Sequence, residues 1–152
     1  MAPLMAVGRM GQGRVAVVSY DWPGLVRHGY MMLLARKYRE TGDEKYAVHV
    51  KKILYKAIQR NTWESRALLN RSPQWQAGLD VSRRTGRVSI AFDGIYNYLS
   101  PEERKEIALG ITEKGIRPLL EDWLLNDTRF HSLESMGHNW WSSCVFMAGI
   151  GC

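Results

Sequence analysis

Cysteine is scarce in this chain. Its 152 residues contain two, Cys144 within an apolar run and Cys152 as the last residue. Two thiols so placed give no disulfide framework and no zinc-ligand spacing, and they leave the redox compartment open. No metal site and no cofactor is expected. Long apolar runs are lacking too. The longest, residues 144–150, is far short of the roughly 20 residues that a membrane-spanning helix needs, so no membrane partner is expected. The N-terminal MAPLMAVGRMGQGRVAVVSY is mildly apolar, but Gly and Arg interrupt it and leave no unbroken signal-peptide core. Residues 1–24 read as a leader, or as a short strand over 14–20. Exact repeats are absent, which excludes tetratricopeptide and ankyrin arrays. Low-complexity and collagen-like stretches are absent as well.

What is present is an ordinary globular composition with a basic bias. Lys and Arg number 21 against 15 Asp and Glu, a formal charge of +6. That balance favours an anionic partner such as nucleic acid or an acidic polysaccharide. The basic residues are scattered, and neither a helix-turn-helix nor an RNA-binding motif is visible, which disfavours nucleic acid.

The body of the chain, residues 25–152, reads as all-α: antiparallel helical hairpins stacked on one another. From Leu25 to about Glu40, Val26, Tyr30, Leu33, Leu34 and Tyr38 share one helical stripe. Thr41-Gly42-Asp43 ends that helix and starts the next, with Gly42 suited to a left-handed position and Asp43 to an N-cap. The second helix carries Tyr46, Val50, Ile53, Leu54, Ala57 and Ile58 on one face, and the pair forms an αα-hairpin. Residues 61–76 are polar and irregular.

A third helix is expected from about Ala77 to Tyr98. Its Gly78, Gly86 and Gly94 either line one seam of close backbone approach or weaken the helix, at about 1 kcal/mol each. Ser100-Pro101-Glu102-Glu103 is a capping box with Pro at the first helical position. It opens a fourth helix bearing Ile107, Ile111, Leu119, Leu120 and Trp123, which Pro118 should kink near Arg117. After a loop at Asn126-Asp127, a fifth and largely buried helix is expected. CVFMAGIGC ends inside an apolar helix without a polar exit. The expectation is therefore a fragment of a larger helical protein, whose unfinished apolar faces leave self-association open.

Three stretches carry a resemblance: WQAGLDVSRRTGRVSIAFDGIYNYLSPEER (75–104), GIRPLLEDWL and MGHNWWSSCVFMAGIG. In this order they resemble the α/α-toroid part of heparinase II/III-type polysaccharide lyases, over about residues 22–152. The resemblance implies part of an incomplete toroid and an acidic polysaccharide or oligosaccharide as partner. It implies cleavage by β-elimination, and a periplasmic or secreted setting for the full-length protein. Such toroids are about twice as long, and their catalytic Tyr lies beyond the Asn-Trp segment, where this chain stops. The resemblance thus implies a sugar cleft that is incomplete for catalysis.

On these residues the resemblance gives Asn139 the neutralisation of a uronate carboxylate. An amide donates to a carboxylate without carrying charge itself. Its alternative role is a helix cap. His138 is a candidate carboxylate ligand or base, with a structural role beside the helix start as the alternative; His131 is a weaker candidate. Trp140 and Trp141 would stack on pyranose rings. Adjacent helical side chains point about 100° apart, so one of the pair should belong to the core, and Trp140 is the preferred ligand face.

Arg83 and Arg87 are candidate carboxylate or sulfate contacts. Arg84 is expected to pair with Asp80. Tyr96 is a candidate sugar contact, with Asp93 either sharing its groove or forming a buried hydrogen-bonded pair with it. Two other readings remain open. An α/α-toroid glycoside hydrolase would need a carboxylate pair, for which only the adjacent Glu121 and Asp122 offer themselves. A helical scaffold or nucleic-acid-binding module would have no enzyme activity.

Overall fold

A computed structural model describes residues 4–10, 13–19, 25–72, 74–125 and 139–152, with side chains from Tyr30 onward. The expected turn at Asp21–Gly24, Pro73, the loop at Asn126-Asp127, His131 and His138 lie outside the described residues.

The N-terminal segment holds two strands where one short strand was expected over 14–20. β1 (Leu4–Met10) pairs antiparallel with β2 (Gly13–Ser19), in a register running from Leu4 opposite Ser19 to Met10 opposite Gly13. The β-branched valines of GRVAVVS favour the extended backbone.

Every regular element that the structure describes after it is helical. α1 (Leu25–Thr41) and α2 (Glu44–Ile58) pack together as a hairpin. Gly42, at φ 71°, takes the left-handed position between them, and Asp43 accepts the Lys45 N–H at 3.1 Å as the N-cap. Val50, Leu54, Ala57 and Ile58 of α2 are buried as expected. The stripe of α1 differs from expectation. Tyr30 and Leu33 are 53% and 62% exposed, while Met31, Leu34 and Ala35 are buried. The reason lies in α4 (Leu79–Gly94), whose Gly94 lies against Ala35; a Cβ there would come within 2.8 Å of the Ala35 Cβ. That close approach turns the small-residue face of α1 inward.

The one-turn α3 (Arg66–Leu69) lies within the irregular stretch. A 3-10 turn at Tyr96–Tyr98 follows α4. The capping box is present at the start of α5 (Pro101–Ile111): Ser100 Oγ accepts the Glu103 N–H at 3.2 Å, and Glu103 Oε2 accepts the Ser100 N–H at 3.1 Å. Beyond α5 the backbone widens into a π-helical turn at Thr112–Ile116. It narrows into α6 (Arg117–Leu120) and widens again at Glu121–Leu125. Pro118 has no N–H to give, and its ring would strike the carbonyl four residues back, so the ladder opens around it.

α7 (Asn139–Gly151) is the last helix. It is not largely buried: Cys144 and Ala148 are, while Phe146 is 65% exposed. Burial pushes the Cys144 thiol up to about 12.

α4 is the centre of the helical domain, packed against α1 on one side and α7 on the other. Ser82 Oγ contacts Ser143 Oγ and its carbonyl, each at 3.1 Å, and Gly86 lies against Met147. Numbers rise together along the two helices, so α4 and α7 run parallel. α2 packs against α1, α4 and α5. Trp63, Leu54, Val88, Ile107 and Trp123 fill the core. The three glycines face three neighbours rather than one seam: Gly78 meets Leu68 and Glu64, Gly86 meets Met147, and Gly94 meets Ala35. Eight residues leave a rotation of about 80° around the axis, so the close approaches spiral. Among the described residues no helix is long and apolar enough to cross a membrane.

Candidate functional site

The Asn-Trp-Trp segment opens α7. Asn139 is exposed in the first helical turn, and its carbonyl accepts the Ser142 hydroxyl at 3.2 Å. Trp140 and Trp141 are half-buried, and both pack against the core. Trp140 meets the ring of Trp75 edge to face, at 5.6 Å between centroids and 83° between planes. Trp75 meets Trp123 in the same way at 6.1 Å. Three indoles thus run from the interior to the residue beside Asn139. Edge-to-face pairs of this kind each add about 0.5–1.5 kcal/mol beyond area burial. Arg71 covers the ring of Trp75 from 4.6 Å. The sequence had made Trp140 the ligand-facing indole and one of the pair a core residue; in the structure neither is a wholly exposed platform.

Two buried carboxylates hold the segment that carries Trp75. Asp122, fully buried, accepts the Gln76 N–H at 2.7 Å and the Ala77 N–H at 2.9 Å. Glu64, 7% exposed, accepts the Ser65 N–H at 2.6 Å and also the Gly78 N–H. Trp123 Nε1 donates to the Ala77 carbonyl at 2.7 Å. Residues 76–78 are therefore tied by three side chains before α4 begins.

Glu64 and Asp122 were not singled out as anchors by sequence reasoning. The available signal was their position beside buried tryptophans, Trp63-Glu64 and Asp122-Trp123, where a charged residue needs a buried partner. Because Asp122 serves the backbone, the Glu121/Asp122 pair does not offer two carboxylates across a cleft.

Burial raises the Glu64 carboxyl above its ordinary 4.5, against the lowering effect of the two backbone N–H groups. A carboxyl whose folded value is raised favours folding most when protonated. That stabilisation is complete below the ordinary value and is lost as pH rises through the folded one. The unfolding free energy of the wild type should therefore fall, relative to Glu64→Gln, as pH climbs from below 4.5 toward neutrality. Parallel curves from urea titrations across that range would contradict this assignment.

The arginines of α4 divide. Arg83 is exposed and Arg87 half-buried, about 100° around the helix from Ser82 and Gly86, which face α7. Arg84 does not form the expected ion pair with Asp80: its Nη1 is buried without a hydrogen-bond partner among the described residues. Burial, then the nearby Arg60, lowers its guanidinium, and Asp80 and Glu64 oppose that from a distance.

Tyr96 stands apart from Asn139. It follows the C-terminus of α4, while Trp75 precedes its N-terminus, and sixteen helical residues between them span about 24 Å. Tyr96 is 43% exposed, not buried, and Arg104 lies 4.2 Å over its ring. With Asp93 it lines two grooves, of about 450 and 770 Å³. Asp93 is exposed and pairs with Arg39 at 3.3 Å rather than with Tyr96. The structure thus brings Asn139, Trp140 and Trp141 together on one turn and leaves Tyr96 at the far end of α4.

A third cavity, about 510 Å³, lies beside the segment that carries Trp75. It is lined by Asn61, Thr62, Gln74, Gln76, Lys114 and Pro118, among others. It lies within the stretch read as polar and irregular; its signal is three of the four amides within residues 61–76, Asn61, Gln74 and Gln76.

Among the described residues no group of three His, Cys, Asp or Glu is placed to hold a metal ion. No protein-family model and no curated protein matches this chain.

Proposed function

We propose that the chain forms part of the acidic-glycan cleft of a polysaccharide lyase of the heparinase II/III type. The observation that carries the reading is Asn139, an exposed amide beside a half-buried indole at the start of α7. The first turn of α7 bears no acidic residue, and the positive end of the helix favours an anion there. The indole offers an apolar surface to the C–H face of a pyranose. The side-by-side α1, α4 and α7, with α2 packed against α1 and α4, are in keeping with a layer that a wider α/α toroid would extend.

In β-elimination a base removes the C5 proton of a uronate, the C4–O bond breaks, a C4–C5 double bond forms and the leaving oxygen gains a proton. An amide donating to the uronate carboxylate stabilises the enolate-like charge on the way. Asn139 is assigned that donation and no proton transfer; Trp140 and Trp141 are assigned the ring contact. Arg83 and Arg87 are assigned the approach as cations, and Tyr96 is assigned a contact at the far end of an extended chain.

Asn139→Ala tests the reading. Removing a hydrogen bond to a charged partner should weaken binding of an acidic oligosaccharide about tenfold. The melting temperature should stay within about 1 °C, because surface changes cost little. Unchanged affinity, or equal affinity for a neutral oligosaccharide, would remove the support that Asn139 gives.

A further inference from the structure

The cavity of about 510 Å³ between the 61–62 turn, the 74–76 segment and the π-helical turn before Pro118 is open to a function of its own. Its lining is mostly polar. Neither Asn61 nor Gln76 makes a side-chain hydrogen bond among the described residues; the backbone N–H of Gln76 is the group that Asp122 holds. Lys114 makes no ion pair there, whereas the neighbouring Glu113 is neutralised by Arg117 at 2.6 Å. One cation therefore faces the cavity without a counter-ion.

The frame is rigid. Asp122 and Glu64 clamp residues 76–78, and Trp75 between Gln74 and Gln76 is 8% exposed in the core. The widened helix at Thr112–Ile116 presents Glu113 and Lys114 on the wall that Pro118 completes. A side-chain amide carries both donors and an acceptor, which matches neighbouring hydroxyls on a sugar ring. An ammonium adds attraction for one acidic group.

We infer that this cavity is a saccharide subsite that takes a hydroxyl-rich ring carrying a carboxylate, with Asn61 and Gln76 on the hydroxyls and Lys114 on the acid. The inference rests on the acidic-glycan reading above and adds a place in it for a sugar away from Asn139.

The experiment titrates the whole chain with a hyaluronan hexasaccharide and, separately, with neutral maltohexaose, by calorimetry. Lys114→Met and Gln76→Ala should each weaken the hyaluronan fragment about tenfold. Asn61→Ser serves as the milder second variant, and melting curves confirm that all three fold. Maltohexaose should bind more weakly than the acidic fragment and should not respond to Lys114→Met.

If hyaluronan binding falls with Asn139→Ala but ignores all three cavity variants, the subsite is wrong and the glycan reading stands. If it falls with the cavity variants and ignores Asn139→Ala, the cavity stands and the role of Asn139 does not. Equal affinity for maltohexaose overturns the acidic assignment of Lys114. No binding of the hyaluronan fragment to the wild type overturns both.

Discussion

Trp123→Ala is expected to lower the stability of the chain by about 3–5 kcal/mol, the usual cost of emptying a buried tryptophan site. Trp123 is 2% exposed, so its whole ring volume becomes cavity. Two specific losses add to the volume. The Ala77 carbonyl loses the indole N–H that reaches it at 2.7 Å, and Trp75 loses its edge-to-face neighbour at 6.1 Å. For a chain of this size the melting temperature should drop by roughly 10 °C. Far-ultraviolet circular dichroism in a thermal scan reads the change without depending on the removed fluorophore.

The same substitution reaches the candidate site through contact. Trp75 touches both Trp123 and Trp140, so a loosened Trp75 leaves Trp140 less fixed beside Asn139. Acidic-oligosaccharide affinity, measured well below the new melting point, should fall as well. A loss of stability with unchanged affinity would show that the orientation of Trp140 does not depend on this chain of rings. A stability change below about 1 kcal/mol would contradict the packing itself.

Asp122→Ala carries the second large effect, about 2–5 kcal/mol. The substitution removes the acceptor of the Gln76 and Ala77 N–H groups, at 2.7 and 2.9 Å, from a site with no exposed surface. Each donor left unpaired costs roughly 1–3 kcal/mol. Asp122→Asn should fall between wild type and Ala, since an amide keeps one accepting oxygen but turns a donor toward one N–H or the other. Native-state hydrogen exchange gives the local reading: the amides of Gln76 and Ala77 should exchange faster in both variants, and most in Ala. If those amides remain as protected as in the wild type, Asp122 does not hold this segment. Because Gln76 also lines the 510 Å³ cavity, the Ala variant should weaken whatever binds there.

Both effects come from residues whose importance is not written near them. Local signals were read correctly where the interaction closes within a few residues. Gly42 and Asp43 separated α1 from α2, and Ser100 with Glu103 started α5, because a left-handed residue or a cap acts on its own backbone. Pro118 announced a disturbed helix because its missing N–H is a local fact, although the widening into two π-helical turns was not foreseen. The stripe of α1 was misjudged because Tyr30 and Leu33 are apolar enough to suit a core, and only the close packing of Gly94 on Ala35 decided which face turned in.

The candidate site was half legible. Adjacent Asn139, Trp140 and Trp141 marked a place where an amide and aromatic rings meet. That Tyr96 lies a helix length away from them was beyond the reach of spacing. So was the pairing of Trp140 with Trp75, 65 positions apart along the chain.

By itself the sequence determined the helices, most of their ends and an anion-favouring charge, since these rest on propensity, caps and composition. Only the tertiary structure decided which faces are buried, that Glu64 and Asp122 serve as backbone anchors, and that three amide-bearing residues share a cavity with Lys114. Those outcomes depend on contacts such as Ala77 to Asp122, 45 residues apart, or Ser82 to Ser143, 61 apart. Their energies exist only once the helices have packed, so no short window of residues contains them.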